Sequence, residues 1–375
     1  MHVDNPAQAP EAPRSPAGGE RTPFGPEEVG LATRNHGMPL EALRYDVTPP
    51  GLHYLLIHFD VPAVDPAAWR LEVGGTVARP LSLSPGDFRA MERTSLTVTL
   101  ECAGNGRATL DPRPVSQPWG QEAVGTATWT GVPLRAVLDL AGPETASREV
   151  VFAGLDRGID GGVEQNYERA LSLEEAGSPD VLLADEMNGA PLPPQHGFPL
   201  RLVVPGWYGM ASVKWLRSIR VVAEPFVGYQ NAKAYRIRQT EDEAGTPVSR
   251  IQPRSLMEPP GVPEFLSRER LVEAGPVEIA GRAWSGWGPI ERVEFSEDGG
   301  ATWSDVVLGP AAGTYAWRPW SFAWDATPGP HELCCRATDS AGNIQPLQAA
   351  WNLGGYLNNA VQRVRVDVRA RANGA

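Results

Sequence analysis

Cysteine is scarce in this chain. Its 375 residues include three, Cys102, Cys334 and Cys335, and an odd number with two of them adjacent excludes a disulfide framework. Long apolar runs are missing as well. Nothing approaches the roughly 18 residues needed to cross a bilayer, and the opening stretch MHVDNPAQAPEAPRSPAGGERTPFGPEEVG lacks the apolar heart of a secretory signal. Residence in the cytoplasm is the expectation. Basic charge is in the minority, 33 Lys plus Arg against 45 Asp plus Glu, a net charge of −12. That excludes a general nucleic-acid binder, which needs a basic footprint. An anionic ligand stays open, because a few arginines inside a pocket reverse the local potential.

What is present is ordinary for a soluble globular protein, 42% hydrophobic and 21% charged residues. The length calls for two or three cores rather than one. Residues 1–28 are rich in Pro, Ala, Gly and Glu and read as a disordered or extended arm. From about residue 50 to 222, strand-like runs such as 95–100 (SLTVTL), 149–153 (EVVFA) and 200–204 (LRLVV) alternate with loops. Residues 132–141 (VPLRAVLDLA) are the best helix, and the mixture predicts an α+β domain with a loop-built site over 29–235. A polar, Pro-containing stretch between about 224 and 271 reads as a connector running over the surface. Beyond it, runs at 277–283, 290–296, 302–308, 321–324, 332–338 and 361–368 predict an antiparallel, immunoglobulin-like β-sandwich within a second domain, 236–375. Seven of the twelve tryptophans fall after residue 280, enough for a sandwich core and an interface.

The sharpest motif is Glu101-Cys102-Ala103-Gly104-Asn105-Gly106-Arg107, directly after the run 95–100. A cysteine where a strand gives way to a Gly-Asn-Gly turn can show its sulfur to a cavity, and Arg107 favours the thiolate. A buried thiol packing as a small apolar residue is equally compatible with the heptad alone. A second cluster, QHGFPLRLVVPGWYGMASVKW (195–215), sets His196, Arg201 and Lys214 around a strand and a Gly-rich turn. That combination suits an anionic, phosphate-bearing ligand. Each of the three taken singly is as compatible with a loop cap or a solvated charge. Cys334 and Cys335 sit in a predicted strand, one facing in and one out. No spacing among His2, His53 and His331 supports a zinc site.

Together the two clusters resemble the sulfite oxidase family of molybdopterin-dependent oxidoreductases. The resemblance covers about residues 40–370. On it, Cys102 takes the place of the thiolate that ligates molybdenum. Trp119 and AVGTATWTGVPL match the stretch lining the pocket, and Gly154-Leu155-Asp156 matches the place where an aspartate contacts the pterin. The run 180–188 (DVLLADEMN) leads into HGFPLR, where His196 and Arg201 match pterin-binding positions, as do Ser212, Val213 and Lys214 further on. Tyr235 falls on the family's active-site tyrosine. GRAWSG, SEDGGATW and WNLGGYLNNAVQRVRV look like its dimerisation domain. The resemblance therefore implies one molybdenum–molybdopterin cofactor (Moco) per chain, no haem domain, and a homodimer. It implies oxygen-atom transfer with a small anionic or polar sulfur or nitrogen substrate and an external electron acceptor such as a cytochrome. Arg107 would hold the substrate, and Tyr235 would donate a hydrogen bond beside the reacting atom.

Two departures concern the substrate. The family's Arg-Asn-His triplet, whose arginine holds sulfite, aligns without gaps on Leu56, Ile57 and His58, so only the histidine remains, as a cofactor-binding candidate. A true Arg-Asn-His occurs at Arg34 to His36, about twenty residues too early: either an insertion follows it and Arg34 still enters the pocket, or the match is a coincidence, which the gapless alignment favours. A second substrate arginine is replaced by Gly354. Each lost guanidinium removes about 1.5–3 kcal/mol of anion binding. Oxidation of sulfite to sulfate is the family default; reduction of an S- or N-oxide on the same cofactor and a non-catalytic binding protein are the alternatives.

Overall fold

The computed structural model describes residues 23–371. His2 and most of the expected arm, 1–22, lie outside the described residues. Inside the end of that arm a helix begins. α1 (Pro26–Arg34) has proline at its start, Glu27 and Glu28 in its first turn and Arg34 in its last, each placed as the helix dipole favours. Glu28 is buried and paired with Arg113.

Ten strands build the first region: β1 (Leu71–Gly75), β2 (Leu81–Leu83), β3 (Thr94–Glu101), β4 (Val124–Pro133), β5 (Glu149–Asp160), β6 (Val163–Ser172), β7 (Leu182–Met187), β8 (Ala190–Pro191), β9 (Arg201–Val203) and β10 (Leu216–Val222). One sheet runs β2-β1-β10-β5-β6, the other β3-β4-β7-β8 with β9 added on β7. All pairings are antiparallel except β1 with β10. Helices α2 (Pro85–Ala90) and α4 (Leu173–Ala176) start at Ser84 and Ser172, whose hydroxyls accept the amides of Asp87 and Glu175 in capping boxes. Between them α3 (Leu134–Ala141) occupies most of 132–141, buries Leu134, Val137, Leu138 and Ala141, and stops at Gly142 with φ 67°. The core joins Leu71, Phe152, Leu202 and Ile219 of this region to Leu256, Trp284 and Trp317 of the next. Each such buried side chain contributes roughly 1.5–3 kcal/mol.

The second region carries a short hairpin, β11 (Arg236–Ile237) with β12 (Thr246–Pro247), then β13 (Arg254–Met257), β14 (Val262–Pro263), β15 (Arg270–Glu273), β16 (Gly275–Trp284), β17 (Ile290–Ser296), β18 (Ser304–Asp305), β19 (Val307–Leu308), β20 (Arg318–Ala326), β21 (Gly329–Asp339) and β22 (Gln362–Arg369). Sheets β13-β16-β20-β19 and β14-β15-β22-β21-β17-β18 face each other around Ile279, Trp320, Val293, Leu333 and Val366. The fold is thus a mixed α+β domain followed by a β-sandwich.

The structure corrects four details. The stretch 224–271 is no mere surface connector: it holds a π-helical turn (Gln230–Ala234) and the buried strand β13, whose Arg254 is ion-paired to Glu101 and whose Ser255 is fully buried. β15 pairs parallel with β22, through Arg270 and Val366, in an otherwise antiparallel sandwich. The run 302–308 splits, β18 joining β17 and β19 joining β20, so it passes from one sheet to the other. Cys334 and Cys335 are neighbours in β21 and so point to opposite faces, but both are buried, Cys335 in the sandwich core.

Candidate active site

Two cavities meet at one sulfur. The inner one, about 660 Å³, is lined by Cys102, Asp156, His196, Arg201, Ser212 and Lys214 among others. The outer one, about 1040 Å³, is lined by Cys102, Arg107, Trp119, Lys233, Gly354 and Tyr356 among others. Leu56, His58, Cys102 and Tyr235 belong to both. Cys102 leaves the end of β3 and its amide donates to the Ala123 carbonyl (2.9 Å), which turns the chain into the Gly-Asn-Gly loop. The residue is 8% exposed. Burial pushes its thiol up, while Arg107, the Gly104 amide and the Trp119 indole pull it back toward the thiolate.

The loop needs its glycines. Gly106 has φ 87°, and a Cβ there would meet the Asn358 side chain at 2.9 Å. A Cβ on Gly104 would stand 2.4 Å from the Arg107 guanidinium. Arg107 is 5% exposed, with Nε donating to the Gly354 carbonyl (3.0 Å) and Nη1 to the Gln117 carbonyl (3.0 Å). Nη2 has no acceptor among the described residues. The guanidinium lies 5.4 Å from the Tyr356 ring centre.

The inner cavity is lined by buried cationic side chains. Arg201 donates from Nη1 to the His196 carbonyl (3.1 Å) and from Nη2 to the Ser212 carbonyl (3.3 Å), against the Trp129 ring. Lys214 Nζ donates to the carbonyls of Leu56 (2.7 Å) and Gln195 (3.1 Å). Burial lowers Arg201 to about 10, and burial with the Arg201 charge lowers Lys214 to about 7. Burial raises Asp156 to about 7, with Lys214 opposing. Asp156 Oδ1 and His53 Nε2 are buried without a hydrogen-bond partner among the described residues. Clustered cations with orphaned polar atoms describe a cradle for a polar, anionic group. The chain has two lysines, Lys214 and Lys233, and each lines one of the two cavities.

Of the residues expected at the site, His58, Cys102, Asp156, His196, Arg201, Ser212, Lys214 and Tyr235 come together around the inner cavity, and Arg107 and Trp119 join at the outer one. Val213 does not. Its side chain is fully buried in the core, its amide donates to Ala211 and its carbonyl accepts from Leu202. Arg34 lies on the surface, bonded to the Phe59 carbonyl (2.6 Å) and Asp60, and His36 bridges to Leu55 with its ring at the Gly37 carbonyl, lining neither cavity. Leu56, Ile57 and Gly354 stand at the outer cavity. Sequence reasoning missed Tyr54 and Tyr167, which line the inner cavity, and Lys233 and Tyr356 in the outer one.

His58 Nε2 and the Tyr235 hydroxyl are 2.7 Å apart. Burial, with Lys214 and Arg107 nearby, lowers His58 to about 4, and burial raises Tyr235 well above its ordinary value. At neutral pH both are uncharged, so one proton is shared along a single line. With the imidazole proton on Nδ1, Tyr235 donates to His58. With it on Nε2, His58 donates and the phenol proton is free for the cavity.

Burial also lowers His53 to about 4 and His196 to about 2. These groups have folded values below their unfolded ones, so the unfolded chain takes up protons first as pH falls through about 6.5. Stability is expected to drop between pH 6.5 and 4, by roughly 3 kcal/mol for each of His53 and His58 once the window is crossed. The midpoint of thermal unfolding should fall by several degrees from pH 7 to pH 5. A flat midpoint across that range would contradict neutral, buried imidazoles.

Comparison with known proteins agrees with this architecture. A family model described as "Oxidoreductase molybdopterin binding domain" matches residues 58–230, and one described as "Mo-co oxidoreductase dimerisation domain" matches 254–369. The chain is therefore a molybdopterin oxidoreductase, with a domain of the dimerisation type behind its catalytic one. It is 37% identical to the sulfite oxidase of Gallus gallus, over 96% of this chain and 82% of that one. It is 38% identical to the mitochondrial sulfite oxidase of Homo sapiens over 86% of this chain, and spans 62% of that protein's length. The structure of the sulfane dehydrogenase SoxCD from Paracoccus pantotrophus superposes with a TM-score of 0.77 at 27% identity, over 89% of this chain and 86% of that one. The chain belongs to the sulfite oxidase family. A nitrate reductase of Hordeum vulgare is also similar, 34% identical over 86% of this chain and 39% of its own. No helix among the described residues is long and apolar enough to cross a membrane.

Proposed function

We propose that the chain oxidises a small sulfur oxyanion, sulfite by family default, through oxygen-atom transfer. Electrons would pass to an external acceptor such as a cytochrome, and the enzyme would act in the cytoplasm as a homodimer. The observation that carries this reading is the position of Cys102, whose sulfur stands where a buried cationic cradle meets an open pocket holding Arg107. The residues present fit a molybdenum–pterin cofactor: one soft sulfur for the metal, Arg201 and Lys214 for phosphate, and the unpartnered Asp156 and His53 for ring polar groups. When bound, that group supplies a two-electron centre able to exchange an oxygen atom with substrate.

The chain's own residues do the rest. Arg107 is oriented by Gly354 and Gln117, which leaves Nη2 for an anionic substrate. Trp119 and Tyr356 wall the pocket and narrow the access of water. The pair His58–Tyr235 holds a proton that can be presented at the phenol oxygen or withdrawn to the imidazole.

With Leu56 and Gly354 in place of two arginines, Arg107 is the buried guanidinium at the outer cavity, whose lining also includes the half-buried Arg236 and Arg238. Sulfite should be turned over with ferricyanide as acceptor, by protein carrying about one molybdenum per chain. Arg107→Gln should lower kcat/KM about 10- to 150-fold, the equivalent of one charged hydrogen-bonding group. Metal-free protein, or an unchanged kcat/KM in the variant, would defeat the reading.

A second reading is reduction of an N- or S-oxide at the same site. The similarity to nitrate reductase and the two missing arginines favour it, since a monoanion or neutral oxide needs less positive charge. A reduced-dye assay with nitrate and several oxides separates the two directions.

A further inference from the structure

The sulfur of Cys102 is held from the other domain. Glu101, the residue before it, is fully buried. Its Oε1 stands 2.8 Å from Arg254 Nε, with both side chains 1% exposed, and its Oε2 accepts from Trp284 Nε1 at 2.8 Å. Arg254 and Trp284 lie on paired strands of the sandwich, opposite each other in register. Within the loop, Asn105 donates to Glu101 Oε1 (3.0 Å) and accepts from the Ala123 amide (3.0 Å). Arg254 also donates to the Asn358 carbonyl, and Asn358 Nδ2 donates to the Gly106 carbonyl (2.6 Å). The Leu357 amide donates to the Ala103 carbonyl (2.9 Å). The cysteine loop is therefore tied to residues 254, 284, 357 and 358 on both sides of the sulfur.

A buried ion pair is a poor device for stability alone, since an apolar pair of similar volume is often as stable or more so. What it supplies is direction: one Glu101 oxygen is held by the Arg254 charge and the other by the Trp284 N–H. We propose that Arg254 and Trp284 are positioning residues which, through Glu101, fix the Cys102 sulfur at the neck between the two cavities. The sandwich is on this account part of the active centre as well as an interface module. The inference rests on the reading that Cys102 bonds to the metal.

The test compares holoenzyme with three variants. Trp284→Phe removes the N–H donor to Glu101 and keeps an aromatic ring in the core. Glu101→Leu with Arg254→Met replaces the ion pair by apolar bulk and keeps the protein foldable should either single change fail. Val293→Ala, in the sandwich core far from the loop in topology, controls for lost stability. The first two should keep their metal yet shift the sulfur-to-metal charge-transfer band and the metal's reduction potential. Their kcat should fall about tenfold with KM nearly unchanged, as for other partners that orient a metal ligand. Val293→Ala should lower the unfolding temperature without moving band or potential. Band and potential unchanged in both clamp variants, or moved as far by Val293→Ala, overturns the proposal. Metal content of the wild type is measured first, so absence of metal is distinguished as failure of the underlying reading.

Discussion

Replacing Cys102 by serine is expected to lower turnover by a factor on the order of 10³ or more, about 4 kcal/mol of barrier. A thiolate is a soft, polarisable ligand; burial raises the thiol here, and Arg107, the Gly104 amide and the Trp119 indole oppose that rise. A serine oxygen in the same place is hard where sulfur is soft, so a metal in the site would lose the soft bond that Cys102 would make to it. The cradle of Arg201, Lys214 and His196 does not depend on that sulfur. Molybdenum should thus be retained in part while the centre is inert. The fold should survive, because the substitution is nearly isosteric at an 8% exposed position and costs on the order of 1–3 kcal/mol for burying a hydroxyl. Circular dichroism, molybdenum content and ferricyanide-coupled turnover on one preparation check the three parts. Turnover and absorption like those of the wild type would remove Cys102 from the mechanism.

The sulfur's position was legible because two local signals coincide. β3 shows as an apolar, β-branched run, and Gly104 and Gly106 mark the turn that must follow it. His196, Arg201 and Lys214 were legible for the same reason, lying within twenty residues on one strand and one turn. Other parts were not. Tyr54 and Tyr167 reach the inner cavity from segments separated by more than a hundred residues, and nothing local distinguishes them from packing tyrosines. β13 was hidden by its own polarity: Arg254 and Ser255 read as surface, yet Glu101 meets one and Gln345 bonds the amide of the other. Pairing across so long a separation leaves no trace in spacing. Val213 misled in the opposite sense, since its place in a motif said nothing about which way an apolar side chain in that turn must point.

Lys214→Met is expected to act with opposite signs on stability and on function. In the cofactor-free protein Lys214 is a buried cation whose value is lowered from 10.5 to about 7 by burial and by Arg201. A lysine depressed in the fold binds its proton less readily there than in the unfolded chain. Folding therefore opposes its charge, fully below about pH 7 and progressively less as pH rises toward 10.5. Methionine keeps the apolar stem and removes that burden, although the Leu56 and Gln195 carbonyls lose their donor. The net change should be a gain of about 1–3 kcal/mol in the cofactor-free form near neutral pH, shrinking as the medium becomes alkaline. With an anionic cofactor bound the account reverses. The same charge would then face a phosphate in a buried cavity, and its removal should weaken retention about 10- to 150-fold. Unfolding of the cofactor-free protein at pH 7 and pH 10, beside molybdenum content after extended dialysis, reads both signs. A variant less stable without cofactor and equally able to retain it would make Lys214 a structural lysine, and the cradle would have to be assigned to Arg201 and His196 alone.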